Sequence, residues 1–453
     1  MLCAIAVKGK IVPNVKNPLL LKSATRLAEE IREGKDVVQA YTDRILQVEP
    51  FINATVDRCF LDAMEEARKV DVLIASGKYT KEKLAETWPL LGVPFSVKVL
   101  LLVKGLRCTG GSVLFEDLRA SEDSPSVALM KQAGAIVIAT TNSAEMGMNF
   151  ETNNILHGKT SNPYDIYRTS GGSSGGESAL LAAAGSVIGL GNDLLGSIRV
   201  PCHFTGLFGH KPTMGLVPNL GVHPTPDPEM AHFLYTGPMC RYAEDLIVTM
   251  RVLSSQSGLS LNFVPNEIRG PLVAPVNRDI ALALQSAVSY FKTNYGIQTE
   301  EIKLPSLYDS NRAVFSEMLC RVKDLKASMT AGKGMHINEK LDYFKYIFGR
   351  STLSKGPLLV LNACKLSVMY NKDKVPFYKE IVDSWEKEFN KILDENTVLM
   401  MPTLPVPAPY HSEILYYFPV LAIHRFSMFL DCHLLSVLLD TIRGIALWHP
   451  NCW

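Results

Sequence analysis

Residues 170–178 read Ser-Gly-Gly-Ser-Ser-Gly-Gly-Glu-Ser, four glycines and four serines in nine positions, and the apolar stretch Ser178-Ala179-Leu180-Leu181-Ala182-Ala183-Ala184 follows at once. Glycines at that density let a backbone take conformations closed to other residues and approach a neighbour closely. Three readings of the run compete. A flexible linker has this composition, but the immediate apolar helix places the glycines at a helix N-terminus. A phosphate-binding loop would use that N-terminus, yet it needs Gly-Lys-Ser/Thr, and Glu177 follows Gly176 here. A nucleophile elbow matches Gly172-Ser173-Ser174-Gly175-Gly176, with Ser174 at its apex. An elbow must follow a buried strand, however, and Asn162-Pro163-Tyr164-Asp165-Ile166-Tyr167-Arg168 reads as a polar turn.

The rest of the chain supplies the frame. Residues 17–50 and 56–76 read as amphipathic helices, with Leu20, Leu21, Ala24, Leu27, Ala28 and Ile31 at helical spacing. Pro89–Val97 reads as a short buried strand, and Ser124–Gly134 as a helix capped by Ser124 with Pro125 at its first position. Ala135–Thr140 and Val187–Leu190 read as strands, and Glu177–Ala184 as a helix. Alternating strands and helices predict an α/β fold, a mixed sheet covered on both faces. Residues 270–395 are more helical, with apolar spacing over Ile280–Asn294, Asn311–Met329 and Phe377–Leu393, and Asn396–Met401 returns to strand character. The predicted organisation is one large domain over 1–410, comprising N-terminal helices (17–76), a core (89–255) and a helical part (270–395). A tail over 411–453 follows.

Bulk properties exclude several classes. The 453 residues carry a formal net charge of +1, with no Lys/Arg-rich block, which gives no electrostatic reason to expect a nucleic-acid partner. The nine cysteines are scattered, an odd number without a Cys-x-x-Cys, and read as reduced thiols. Cys202-His203 lacks a second ligand pair at metal spacing, so no metal or other cofactor is expected. Met1–Lys8 is too short for a signal segment, and Ile414–Ile423 falls short of the roughly 18 apolar residues of a membrane span. The expected location is cytoplasmic or peripheral to an intracellular membrane; peripheral membrane contact and a homodimer are left open.

The fourth reading of the run uses two more segments. Ser197 follows Ser173 by 24 positions in Asp193-Leu194-Leu195-Gly196-Ser197-Ile198-Arg199, and Lys98 precedes it by 75 at the end of Gly92-Val93-Pro94-Phe95-Ser96-Val97. Serines held by glycines, with a lysine available as base, are parts for acyl transfer without histidine. These three motifs, in this order and spacing, resemble the amidase signature family. Ser161-Asn162-Pro163 and Gly206-Leu207-Phe208-Gly209-His210-Lys211-Pro212 resemble it too. Tyr235–Arg241 is similar to the branch that acts on fatty-acid amides. The resemblance covers roughly residues 20–410.

The resemblance implies a hydrolase of carboxamide bonds, with a hydrophobic acyl amide as its small-molecule partner. Ser197 would be the acylated nucleophile, Ser173 a proton relay after a cis Gly172–Ser173 bond, and Lys98 the base. Backbone N–H groups of Leu194, Leu195 and Gly196 would form the oxyanion hole. Ser174, Asp193 and Arg199 would support the loop, the last two through charged hydrogen bonds. Three departures stand out. Leu195 replaces a family glycine, which predicts strain if its φ is positive, or a side chain blocking the acyl pocket. Val99 stands where the family has an acid. Residues 411–453 lack the family's closing strand segment, which predicts an incomplete sheet with an unpaired edge. Two alternatives remain at this point: an impaired homologue that only binds, and a glutamine amidase of the amidotransferase type.

Overall fold

The computed structural model describes residues 11–255, 268–270, 277–296, 298–301, 325–331, 337–362, 375–392, 398–404, 406–413, 433–437 and 445–449. Its centre is an 11-stranded mixed sheet. In chain order the strands are β1 (Thr55–Arg58), β2 (Pro94–Lys98), β3 (Ile136–Thr141), β4 (Ile188–Asp193), β5 (Phe208–Lys211), β6 (Tyr235–Cys240), β7 (Ile268–Gly270), β8 (Thr299–Glu301), β9 (Val398–Pro402), β10 (His433–Val437) and β11 (Ile445–His449). Across the sheet they run β1-β3-β2-β4-β6-β5-β10-β11-β9-β7-β8. Strand β2 is parallel to both β3 and β4, whereas β4–β6–β5 and β5–β10–β11–β9 pair antiparallel.

Every residue of β2, β3, β4 and β6 is buried, so helices cover both faces of the centre, as an α/β architecture requires. The covering helices include α1 (Ala24–Ile31), α2 (Val38–Ile52), α3 (Phe60–Ala75), α4 (Pro125–Gln132), α5 (Gly175–Ala182), α6 (Arg199–Thr205) and α7 (Ala243–Leu253). Leu27, Ile31, Tyr41, Ile45, Val97 and Met250 belong to one continuous apolar core beneath them. Among the described residues no helix is long and apolar enough to cross a membrane.

The N-terminal helices are more interrupted than the apolar spacing predicts. Gly34, at φ +87°, separates α1 from α2, a turn that glycine makes without strain. Asn53 ends α2 in the left-handed region, and Thr55–Arg58 then pairs antiparallel with β3 instead of opening a helix. Helix Arg278–Tyr295 and helix Val375–Ile392 lie where apolar periodicity places them. Of the helix expected over 311–329, Leu325–Met329 is helical and the rest lies outside the described residues.

The expected gap in the sheet is corrected. Strands β10 and β11 form a hairpin that occupies the space between β5 and β9, with Leu435 opposite His210 and Leu399 opposite Trp448. A ladder asks only for backbone donors and acceptors in register, so it forms without the family's usual closing segment. The edges of β5 and β9 are thereby paired rather than open.

Candidate active site

All nine residues of the glycine-serine run are buried. A Cβ on Gly171 would meet Pro201 Cα at 2.5 Å, and one on Gly176 would meet Asn142 O at 2.3 Å. The run is therefore packed backbone against backbone, which removes the linker reading. It also removes the phosphate reading, because the first donors of α5 are already used: Gly175 N–H donates to Thr152 Oγ1 and Gly176 N–H to Asn142 O. The segment expected as a polar turn is instead a strand, Asp165–Thr169. It is half-exposed and pairs with Ser161–Asn162 in a ribbon outside the main sheet, unlike the buried strand of an elbow.

Sheet pairing joins the three motifs. Strand β2 ends on Lys98 beside β4, which ends on Asp193. Helix α5 starts from the serine run over β2 and β4, and the peptide bond Gly172–Ser173 is cis. Lys98 Nζ lies 2.7 Å from Ser173 Oγ, 2.5 Å from Asn192 Oδ1 and 3.4 Å from Asn192 O. The amine is fully buried. Burial lowers its pKa to about 7, against the opposing pull of Asp193 and Glu177. The apolar run after it is buried as well, with Val99 and Leu101 in the core and Leu100 in the wall of the cavity.

Glu177 lies in the first turn of α5, close enough for its charge to act on Lys98. Its two oxygens accept from Ser96 Oγ at 2.6 Å and Thr141 Oγ1 at 2.7 Å. Burial raises its pKa to about 8, against those two hydrogen bonds and the Lys98 charge. Ser174 Oγ donates to Asn192 O at 3.4 Å and Ser174 N–H to Ser197 O at 3.1 Å, which ties the serine run to the loop carrying Ser197.

That loop is organised by one carboxylate. Asp193 Oδ1 accepts from Gly196 N–H at 2.6 Å, and Oδ2 from Ile198 N–H at 3.0 Å. The Arg199 guanidinium donates to both oxygens. Gly196, at φ +117°, makes the turn that allows this. Its N–H is thus committed inside the loop, which corrects its expected place among the oxyanion donors. The N–H groups of Leu194, Leu195 and Ser197 have no hydrogen-bond partner among the described residues.

The concern over Leu195 is also corrected. Its φ is not positive. Its side chain packs away from the cavity, against a cluster of Phe150, Val200, Phe204 and Leu404, while Leu194 lines the cavity. Ser173, Asn192 and Ser197 share that cavity, which is open to solvent. Its wall is mostly apolar, with Leu100, Met146, Met148, Val222, Leu234 and Met329. Ser197 Oγ has no hydrogen-bond partner among the described residues. Elsewhere, Cys202 packs in an apolar cluster that pushes its thiol pKa well up, and His203 Nε2 sits 2.9 Å from Val406 O. Among the described residues no cluster of His, Cys, Asp and Glu could hold a metal ion.

Sequence reasoning did not single out Asn192 or a role for Glu177. Nothing in their spacing signals that β4 and α5 bring them to Lys98.

Comparison with known proteins agrees with this arrangement. A sequence profile of the amidase family matches residues 36–437. Fatty-acid amide hydrolase 2-A of Danio rerio is 37% identical over 424 residues, 89% of this chain and 79% of that protein. Fatty-acid amide hydrolase 2 of Homo sapiens is 35% identical over 419 residues, 88% of this chain and 79% of that protein. Two solved structures share the fold. A fatty acid amide hydrolase superposes with a TM-score of 0.75 at 19% identity, covering 96% of this chain and 83% of that one. A bacterial aryl acylamidase superposes with a TM-score of 0.75 at 21% identity, covering 96% and 94%. Motifs, fold and relatives together establish that this chain belongs to the amidase signature family and is an amide-hydrolysing enzyme.

Proposed function

We propose that the chain hydrolyses amides of hydrophobic acyl groups, with Ser197 as nucleophile, Ser173 as proton relay and Lys98 as base. The observation that carries this reading is the buried Lys98–Ser173 contact of 2.7 Å in the wall of a cavity that also holds Ser197. Burial keeps part of the Lys98 population neutral near pH 7, so its lone pair can take the Ser173 proton. Ser173 Oγ takes the Ser197 proton in the same event, and Ser197 Oγ bonds to the amide carbon. The C=O π pair moves onto oxygen, where the N–H groups of Leu194, Leu195 and Ser197 can receive it. Collapse breaks the C–N bond, and the proton held by Lys98 returns through Ser173 to the departing amine. Water then takes the place of Ser197 as nucleophile on the acyl-enzyme and, by the same relay, releases the acid.

The methionine- and leucine-lined wall favours an apolar acyl group of adaptable shape over the polar side chain of glutamine. Two observations speak against the impaired-homologue reading that Leu195 and the divergent tail motivated: Leu195 packs outside the cavity, and the 433–437 and 445–449 strands of the tail pair with β5 and β9. An active-site serine probe tests the reading: wild type is labelled and Ser197→Ala is not. Equal labelling of the two defeats it. Turnover of long-chain acyl amides should exceed that of glutamine; the reverse would favour the amidotransferase-type reading.

A further inference from the structure

Among the described residues Lys98 Nζ has three polar contacts, on two residues, and they are not equivalent. Its nitrogen carries Cε and three further directions, and the partners on these are Asn192 Oδ1, Asn192 O and Ser173 Oγ. Both Asn192 atoms are oxygens that only accept. A neutral amine has two N–H groups and one lone pair. If both N–H groups go to Asn192, the lone pair is left facing the one neighbour with a proton to give, the Ser173 hydroxyl.

We propose that Asn192 is a positioning residue that fixes the direction of proton transfer, holding the two N–H groups of neutral Lys98 so that its lone pair points at Ser173. The inference rests on the Lys98–Ser173–Ser197 reading above. Asn192 is suited to the task by its place in the fold. It is the penultimate residue of β4, adjacent to β2, and is almost wholly buried. Its backbone oxygen also accepts from Ser174 Oγ, which anchors it to the serine run. Its Nδ2 has no partner among the described residues, so the contact with Lys98 is what orients the amide. Turned over, the amide would present Nδ2 to Lys98, donate into the lone pair and disable the base.

The charged groups that face Lys98 are few. Asp193 on β4 is paired with Arg199 from α6, and Glu177 on α5 is held by Ser96 and Thr141. A carboxylate at position 192 would therefore act on Lys98 without a compensating cation, and would favour the ammonium.

The test is the pH profile of kcat/KM on a fatty acyl p-nitroanilide. Asn192→Asp keeps both acceptors and adds a charge, so the acid limb should move up by about one to three pH units, with activity recovering at alkaline pH. Asn192→Leu keeps the volume and removes the side-chain acceptor, so kcat should fall roughly 10- to 100-fold with KM within about twofold. An acid limb in Asn192→Asp that coincides with wild type overturns the proposal. So does an Asn192→Leu enzyme with wild-type kcat, which decides the matter if the aspartate variant does not fold. Serine-probe labelling of wild type and Ser197→Ala, run beside these, separates the two readings. If Ser197→Ala is labelled like wild type, the nucleophile assignment fails. If only wild type is labelled and the limb has not moved, the Asn192 assignment alone fails.

Discussion

Asp193 and Arg199 form a two-pronged ion pair, Oδ1 to Nη2 at 2.8 Å and Oδ2 to Nε at 2.9 Å, with both side chains almost wholly buried. The same carboxylate also holds the backbone N–H of Gly196 and Ile198, so one side chain sets the path of the loop on either side of Ser197. Arg199→Ala would leave Asp193 buried and uncompensated, which costs about 3–5 kcal/mol. The expected outcome is a large loss of chemical-denaturation stability with activity lost alongside it. Arg199→Lys should recover little of either, because an ammonium cannot span both oxygens. A lysine variant with wild-type stability would count against the two-pronged account.

Burial of Lys98 gives stability a definite pH slope. Its pKa falls from 10.5 in the unfolded chain to about 7 in the folded one. Between those values the unfolded state binds more protons, so this group makes stability rise with pH across that window. Replacing it with an apolar side chain, Lys98→Met, should flatten that rise and stabilise the protein near pH 7 while abolishing turnover. Urea unfolding of both forms at pH 7 and pH 10 checks the slope. In the active enzyme the same titration predicts an acid limb near pH 7, with activity falling as Lys98 gains its proton.

Much of the fold was legible because it rests on local patterns. The apolar runs at β3 and β4 and the periodic helices Arg278–Tyr295 and Val375–Ile392 are properties of contiguous residues. The three motifs were equally visible, but their meeting is a tertiary fact: Lys98 reaches Ser173 because β2 pairs with β4 and α5 packs over both. The direction of Leu195 was hidden for the same kind of reason. Leu194 lines the cavity while Leu195 packs against the Phe150 cluster, a division that depends on how the loop folds rather than on either side chain. The hairpin of β10 and β11 was missed because its partners, β5 and β9, are chosen by backbone pairing rather than by a side-chain pattern.

Glu177 predicts the opposite slope from Lys98. Its folded pKa, raised from 4.5 to about 8, means that the folded state binds more protons between those values. Stability contributed by this group is therefore present at low pH and declines as pH rises through that window. Glu177→Gln should remove the decline. A glutamine can still accept from one of Ser96 and Thr141 and donate to the other hydroxyl, so the local hydrogen bonding is kept. Thermal melting between pH 5 and pH 8 checks this: the variant should lose the wild-type fall in melting temperature, and parallel curves would show that Glu177 is ionised throughout.

Leu195 yields a prediction that the family pattern would not. Restoring the glycine, Leu195→Gly, looks at first like a repair. In the folded chain, however, Leu195 has an ordinary φ and packs against Phe150, Val200, Phe204 and Leu404, outside the cavity. The substitution removes that partly buried contact and frees the backbone beside Gly196. The expected loss is about 1–2 kcal/mol from packing, with added flexibility in the loop whose N–H groups are proposed as oxyanion donors. Turnover should therefore fall or stay level, and the midpoint of urea unfolding should drop. A large gain in kcat at unchanged stability would mean that Leu195 obstructs the reaction. Leu195→Ala separates packing from backbone freedom, since it removes the same contact without adding a second glycine to the turn.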